Sequence, residues 1–426
     1  MTDAAPSTGP VTRSSVTRVG VATAVTALCG YAVLYLAARD LEPAGFSVFG
    51  VFWGAFGLAS GAAFGLLQEA TREVRDARAC RPADGPHTRP MRVAVAVAVV
   101  AAVSIVVTSP LWADRVFVEQ QWLSVALLSA GLAGFCVHAT LLGMLAGVDL
   151  WSQYGVLMVT DAVIRVLVAV ATFAVGWGLG GFLWATVGGA IAWLLLLACS
   201  PATRAAARLR TPGSTATFLR GAAHSIAAAG ASAVLVMGFP VLLQATSDDL
   251  GATGGVVILA VTLTRAPLLV PLTAMQGNLI AHFVDQRTAR LRALIAPAAV
   301  VLGVGVMGVV AAGLVGPWLL RTGFGEQYRA DGALLAWLTA AAVAIALLTL
   351  TGAATVAAAM HRTYAVGWVG ATVAAVLLLL LPLDLETRTV VALLCGPMVG
   401  IAVHLAGLAS SHGPAHILRV RRRRAT

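Results

Sequence analysis

The chain has 426 residues, 59% of them hydrophobic and 11% charged, with 28 basic against 18 acidic side chains and a formal charge of +10. Ordinary soluble domains are about 25% charged, so a soluble enzyme and a disordered tail protein are both excluded. The mean hydropathy of +0.90 is spread over recurring apolar runs of about 20 residues, each long enough to cross ~30 Å of hydrocarbon as a helix; this excludes a soluble domain on a single anchor, and a membrane β-barrel would show ~10-residue alternating segments instead.

In chain order, the polar stretch 1–16 carries Pro6 and Pro10. It is expected to be a disordered cytoplasmic tail, without the cleavage pattern of a signal peptide. Twelve predicted spans follow, at roughly 17–38, 45–67, 93–111, 122–147, 154–177, 181–199, 221–245, 254–280, 293–319, 332–358, 364–383 and 389–410. They divide into an N-lobe over 17–200 and a C-lobe over 221–411, joined by a cytoplasmic linker, 201–220, and followed by a polybasic tail, 412–426. The predicted fold class is an all-α polytopic membrane protein of about twelve transmembrane helices in two six-helix lobes.

Charge sets the orientation. With the N-terminus inside, the inner segments hold 21 arginines and the outer loops five, while Arg165 and Arg265 lie within spans. The positive-inside rule then places both termini in the cytoplasm of a bacterial inner membrane. Every cation is arginine and none is lysine; beside abundant Ala, Gly and Val, this reads as high-GC codon usage. Cys29, Cys80, Cys136, Cys199 and Cys395 are scattered, without zinc spacing, and read as small buried hydrophobes. No metal and no cofactor is expected.

An internal repeat appears at an offset of 209 residues: Asp40-Leu41 and Gly45 meet Asp249-Leu250 and Gly254, and Asp76, Arg78 and Arg81 meet Asp285, Arg287 and Arg290. Six spans per half is an even number, so both halves enter the membrane the same way. The repeat is parallel, about an axis normal to the membrane, and the expected site lies between the halves. The predicted loops are short, the longest running from Gln68 to Arg92. No GxSxG, P-loop, HExxH or CxxC is present, so the chain is expected to be a carrier and not an enzyme.

The segment Ala38-Arg39-Asp40-Leu41-Glu42-Pro43-Ala44-Gly45-Phe46-Ser47-Val48-Phe49 resembles the R-x-L-G-P-x-x-(Y/F)-G-x-(Y/F) turn of oligosaccharide flippases. These are the polysaccharide-biosynthesis transporters of the multidrug/oligosaccharidyl-lipid/polysaccharide (MOP) exporter superfamily. Leu263-Thr264-Arg265-Ala266-Pro267-Leu268-Leu269 is similar to their R-x-P pattern. Glu42 and Ser47 stand where such proteins commonly carry glycine. The resemblance implies a V-shaped pair of lobes whose first and second helices, here spans 1, 2, 7 and 8, line a central cavity. It also implies a polyprenyl-pyrophosphate-linked oligosaccharide as substrate, moved to the outer leaflet by alternating access for cell-surface polysaccharide biosynthesis.

Such a substrate needs cationic groups for phosphate, and arginine supplies a planar fork with a permanent charge. Arg265 is the leading candidate, because a charge inside a span costs roughly 2.5–3.5 kcal/mol on insertion scales. Pro267 and Pro271 behind it each remove a backbone hydrogen bond and are expected to kink span 8. Thr262 and Gln276 fall near the same helical face, and Asn278 and Arg39 complete the candidate substrate contacts. The alternative for Arg265 is a bond to carbonyls freed by a neighbouring kink. Asp161 and Arg165 stand at i and i+4 in span 5. They read either as an ion-coupling element or as a self-neutralised pair that holds span 5 in its lobe. Glu69 reads as an exposed helix-end acid, and His138, His224 and His404 as packed contacts. The expected partners are a lipid-linked glycan, anionic lipids at the Arg419–Arg424 tail and other polysaccharide-assembly proteins; nucleic acid is not expected. The rival functions are a cation-coupled drug exporter of the same superfamily and a non-transporting scaffold of an envelope-polymer assembly.

Overall fold

The computed structural model describes residues 13–79, 86–286 and 290–410, and the side chains among them except those of 13–17, 79, 274, 276–278, 281 and 290. The polybasic tail and most of the N-terminal tail lie outside these residues, as do Cys80 and Arg81; of the other cysteines expected to be buried, Cys136 is buried and Cys29 half-buried, but Cys199 and Cys395 are exposed on the outside of the bundle, where an apolar side chain meets hydrocarbon without penalty. Among the described residues, eleven helices are long and apolar enough to cross a membrane. Helix is the outcome because a chain in hydrocarbon must satisfy its backbone polar groups within one segment. The first of these helices, Arg13–Ala79, is two helices joined across a kink at Glu42, which makes twelve spans.

That kink is a reversal. Near the start of the helix Arg18 Nη1 donates to Ser152 Oγ at 2.8 Å. Near its end Arg78 Nη1 donates to Gly147 O at 3.1 Å and meets Asp149 at 2.7 Å. Both ends therefore reach the same turn, and 13–41 (span 1) runs antiparallel to 43–79 (span 2). Pro43 explains the place of the bend: the residue before a proline is pushed to extended ψ, and Glu42 sits at φ 56, ψ 170.

The remaining spans are Pro90–Leu111 (span 3), Gln121–Gly147 (span 4), Trp151–Val175 (span 5), Gly178–Cys199 (span 6), Thr215–Val236 (span 7), Gly251–Ala274 (span 8), Ile295–Phe324 (span 9), Gly332–Ala357 (span 10), His361–Leu379 (span 11) and Leu385–Ser410 (span 12). Several predicted boundaries shift. Helix begins at Arg13, inside the tail expected to be disordered. Span 2 continues to Ala79, so the 68–92 loop is mostly helix. The linker holds a short helix, Pro201–Ala207, and a strand, Thr211–Pro212, which pairs antiparallel with His87–Thr88; span 7 begins at Thr215. The apolar pattern missed these pieces because polar helix ends leave the hydrocarbon without ceasing to be helical.

The turns recur along the chain. Glu42 has φ 56, and Gly251, 209 residues later, has φ 50; each follows an Asp-Leu pair. Asp149 and Ala359, between spans 4 and 5 and between spans 10 and 11, have φ 61 and 57. In each of these turns a 6→1 bond closes the helix end, Leu150 N to Leu145 O and Met360 N to Thr355 O, both at 2.9 Å. Spans 4 and 10 are the most buried helices, as expected of helices apolar on every face.

Between the two sets of six spans, span 2 lies along span 7. Gly50 faces Ile258, Gly54 faces Pro240, Gly57 faces Met237 and Gly61 faces Ala233. Gly65 lies against the backbone of Ser225 and Ile226, where a Cβ would have no room. Spacings of three and four place these glycines on one helix face, and small residues let membrane helices approach closely. At the end away from the arginine-rich loops, Phe46, Phe49, Phe52, Phe117, Phe239 and Tyr328 are fully buried. There Phe46 meets Tyr328 edge to face, Tyr35 meets Phe324, and Gln244 Nε2 donates to Arg115 O at 3.3 Å.

Candidate functional site

Span 7 breaks where span 8 carries its arginine. The helix ends at Val236 and a short helix, Phe239–Ala245, follows with Pro240 in its first turn. Proline has no N–H, so the carbonyl four residues earlier, on Val236, loses its helical donor. Arg265 takes that place: Nη1 donates to Val236 O at 3.1 Å and reaches Leu235 O at 3.5 Å. The Phe239 ring lies 5.4 Å from the guanidinium carbon, within range of a cation–π contact. Arg265 is only 7% exposed, and its Nη2 has no hydrogen-bond partner. Among the described residues no carboxylate pairs with it.

The other candidate contacts separate from this arginine. Thr262 Oγ1 donates to Ile258 O at 2.7 Å within its own helix. Span 8 carries Pro267 and Pro271 within a continuous helix and is interrupted one turn later, at Met275. Gln276 and Asn278 begin the next helix, Gln276–Asp285, and their side chains lie outside the described residues. Arg39 is exposed at the far end of span 1.

Asp161 and Arg165 form the second site. Asp161 is 7% exposed. Its Oδ1 accepts from Arg165 Nη2 at 3.1 Å, and Oδ2 lies 3.0 Å from Arg165 Nε, without the alignment of a hydrogen bond. The Phe56 ring of span 2 lies 5.3 Å from the Arg165 guanidinium carbon. Gly189 in span 6 lies against both the carbonyl and the carboxylate of Asp161, where a Cβ would clash. His138 of span 4 is buried, stacked on Phe135 at 5.4 Å, with Nδ1 unpartnered. The pair thus sits among spans 2, 4, 5 and 6, behind span 2 as seen from span 7.

One reading is overturned outright. Glu69 is 2% exposed, not an exposed helix-end acid. It pairs with Arg72 and fits against Gly221 at the start of span 7, where any side chain would strike its carboxylate. The signal was a glycine far along the chain, which no local pattern links to Glu69. His404 is buried and satisfied: Nδ1 meets Thr351 Oγ1 at 3.0 Å and Nε2 meets Tyr364 O at 3.3 Å. His224 is exposed and bonds Arg220 O in its own helix. Sequence reasoning also missed the span 7 break. Gly238-Phe239-Pro240 was its available signal, since glycine and proline together mark helix interruptions.

No family model matches the chain. Over 402 residues it is 72% identical to "Uncharacterized protein Rv3630" of Mycobacterium tuberculosis and to "Uncharacterized protein Mb3654" of Mycobacterium bovis, covering 94% of this chain and 93% of each relative. It is 69% identical to "Uncharacterized protein Rv1510" of Mycobacterium tuberculosis over the same shares. Among solved structures, an inward-facing multidrug resistance MATE family transporter of the MOP superfamily aligns with a TM-score of 0.71 and 16% identity, over 93% of this chain and 98% of the other. The outward-facing form of such a transporter gives 0.64 and 15%, over 93% and 95%. A Pyrococcus furiosus MOP superfamily transporter, described as having a binding pocket of reverse polarity that suggests a different function, gives 0.63 and 13%, over 93% and 96%.

Proposed function

The chain belongs to the family of these mycobacterial membrane proteins and has the fold of MOP superfamily transporters; on that premise we propose that it is an alternating-access flippase for a polyprenyl-pyrophosphate-linked oligosaccharide. In this reading the arginine-rich end faces the cytoplasm, the substrate enters from the inner leaflet, and the product feeds cell-surface polysaccharide assembly.

The observation that carries the reading is the sign of the unpaired buried charge. Three charged side chains other than histidine are buried among the described residues: Glu69, Asp161 and Arg265. Each carboxylate is held by an arginine, Arg72 or Arg165. Arg265 has only carbonyls and a ring, with one nitrogen left over. A buried cation without a counter-ion, on helices that face the other lobe, favours an anionic ligand; a cationic drug would want the opposite. A pyrophosphate would occupy Nη2 with a charge-assisted hydrogen bond, while Nη1 stays anchored to span 7. Movement of span 7 against span 8 would then change the donors offered to the substrate.

A second reading is the non-transporting scaffold. The glycine seam of span 2 favours it, since each of its glycines lies in close contact with span 7, with Met237 or Pro240 just beyond it, or with Ile258 of span 8.

The test is depletion of the protein in its source organism, with polyprenyl-pyrophosphate sugars quantified by mass spectrometry. The expected result is accumulation of one lipid-linked glycan, relieved by the wild type and not by a well-expressed Arg265→Ala. Relief by both keeps the flippase and removes the role given to Arg265. No accumulation, with new sensitivity to cationic drugs, would replace the flippase by an exporter; no accumulation and no drug phenotype would favour the scaffold.

A further inference from the structure

A second basic site lies at the arginine-rich end, away from Arg265. The strand pair His87–Thr88 and Thr211–Pro212 clips the loop before span 3 to the segment before span 7. Thr88 Oγ1 donates to Gly213 O at 2.9 Å, and Gly213 N donates to Pro86 O at 2.8 Å. The clip brings the first turns of spans 3 and 7 to one cavity of about 450 Å³, within the about 300–1,000 Å³ range of small-ligand sites.

The cavity has two unlike kinds of lining. Its polar lining is Arg89, Arg92 and Arg210 with His87 and Thr215. Val93, Ala96 and Leu219, which continue down the two spans, supply the other. The guanidiniums are close enough to repel: Arg210 and then Arg92 hold the Arg89 group below its usual value. Among the described residues no carboxylate pairs with these three charges, and like charges gathered in this way raise the energy of an empty site and lower that of one holding an anion. The helix ends add to this. Span 3 starts behind Arg89 with no side-chain cap, its first residue Pro90 having no N–H, while at span 7 Ser214 Oγ already accepts from Thr217 N, so what the two ends add is mainly their dipole charge. Helix N-termini point free N–H groups and positive partial charge outward.

We propose that this cavity binds a phosphate group, with an anionic phospholipid of the adjacent leaflet as its natural source. Arg89, Arg92 and Arg210 take the phosphate, and the acyl chain lies along Val93, Ala96 and Leu219. The cavity is bounded by both lobes and their linker, so an occupied site ties span 3 to span 7. This stands whether or not the protein moves a glycan.

The test uses the purified full-length protein in neutral detergent, titrated separately with phosphatidylglycerol, phosphatidylcholine and inorganic phosphate. Bound lipid is read by native mass spectrometry. A cation near an anionic headgroup contributes roughly a fivefold factor, so Arg89→Gln/Arg92→Gln/Arg210→Gln should weaken phosphatidylglycerol binding on the order of 100-fold. Arg115→Gln/Arg321→Gln/Arg329→Gln, with equal charge loss at the other end, should stay within about twofold of wild type. Thr215→Glu is the variant least exposed to misfolding, since an acid in the first turn stabilises a helix; it too should weaken binding. Phosphatidylcholine should bind far more weakly, because its headgroup carries no net charge. Displacement of the lipid by millimolar inorganic phosphate would keep the phosphate site and assign it to a free anion. Unchanged phosphatidylglycerol binding in both the cavity triple variant and Thr215→Glu, or an equal loss in the far-end variant, would overturn the proposal.

Discussion

Arg165 and Arg265 lie deep within their spans, far from either helix end, and they are held in different ways. Arg165 has an acid one helical turn away, and the pair lies 3.0–3.1 Å apart between packed helices of one lobe. Among the described residues Arg265 has no acid; it rests on carbonyls that a proline beyond the end of span 7 left free, with an aromatic ring against it. The first arrangement is closed in charge: each member neutralises the other, although Arg165 Nε also lacks an aligned acceptor. The second is open, because carbonyl dipoles only partly offset a full charge and one nitrogen stays unpartnered. A closed pair belongs to the architecture of its lobe, whereas an open cation can exchange a partner for a ligand. This contrast, more than the depth of either charge, separates the two sites.

The largest expected effect breaks the closed pair. Asp161→Asn leaves Arg165 buried without a counter-charge, and removal of one member of a buried pair costs on the order of 3 kcal/mol. Detergent unfolding curves should show this loss, and Asp161→Asn/Arg165→Leu should recover most of it; no recovery would mean that Asp161 acts through something other than Arg165. Gly189→Ala is next. The added methyl meets the Asp161 carbonyl and carboxylate, and overpacking of this kind costs about 1–3 kcal/mol. If Gly189→Ala proves neutral, span 6 does not hold the acid in place.

Arg265→Lys keeps the charge at the open site and discards the fork. A single ammonium can hold the carbonyls or a ligand but not both, so substrate export should fall about tenfold while unfolding shifts by about 1 kcal/mol. An equal loss of both would make Arg265 architectural, like Arg165. The smallest effect compares the two rings. Phe239→Leu and Phe56→Leu each remove a cation–π contact worth about 0.5–1 kcal/mol. The loss should be greater for Phe239→Leu, since Arg165 retains its carboxylate; the reverse order would contradict the closed and open assignments.

Much of the fold was legible because membrane solvation acts locally. Twelve apolar runs of sufficient length, read one at a time, correspond to twelve helical spans, and the all-α class followed from them. The D-L-x-x-x-G segments, found only as letters, turn out to share a backbone reversal at Glu42 and Gly251. The i, i+4 spacing of Asp161 and Arg165 was enough to find their pair, because helix geometry alone brings those positions together. The Arg265 site was only half legible. Its charge and depth could be read from span 8, but Phe239 and the open carbonyls lie in span 7, where Gly238-Phe239-Pro240 drew no notice. Glu69 was misread for a related reason: its burial depends on Gly221, and a glycine's empty space leaves no mark in a local pattern.

By itself the sequence determined that the chain lives in a membrane, how many times it crosses, and where its charges enter the hydrocarbon. Those properties depend on run length, composition and spacing within one helix. Only the tertiary structure decided which of those charges is neutralised, where the glycines of span 2 find their partner, and that Arg89, Arg92 and Arg210 share one cavity. Each of these depends on the close approach of segments distant in the chain. That approach follows from packing over many contacts, each individually small, and no single stretch of sequence encodes their sum.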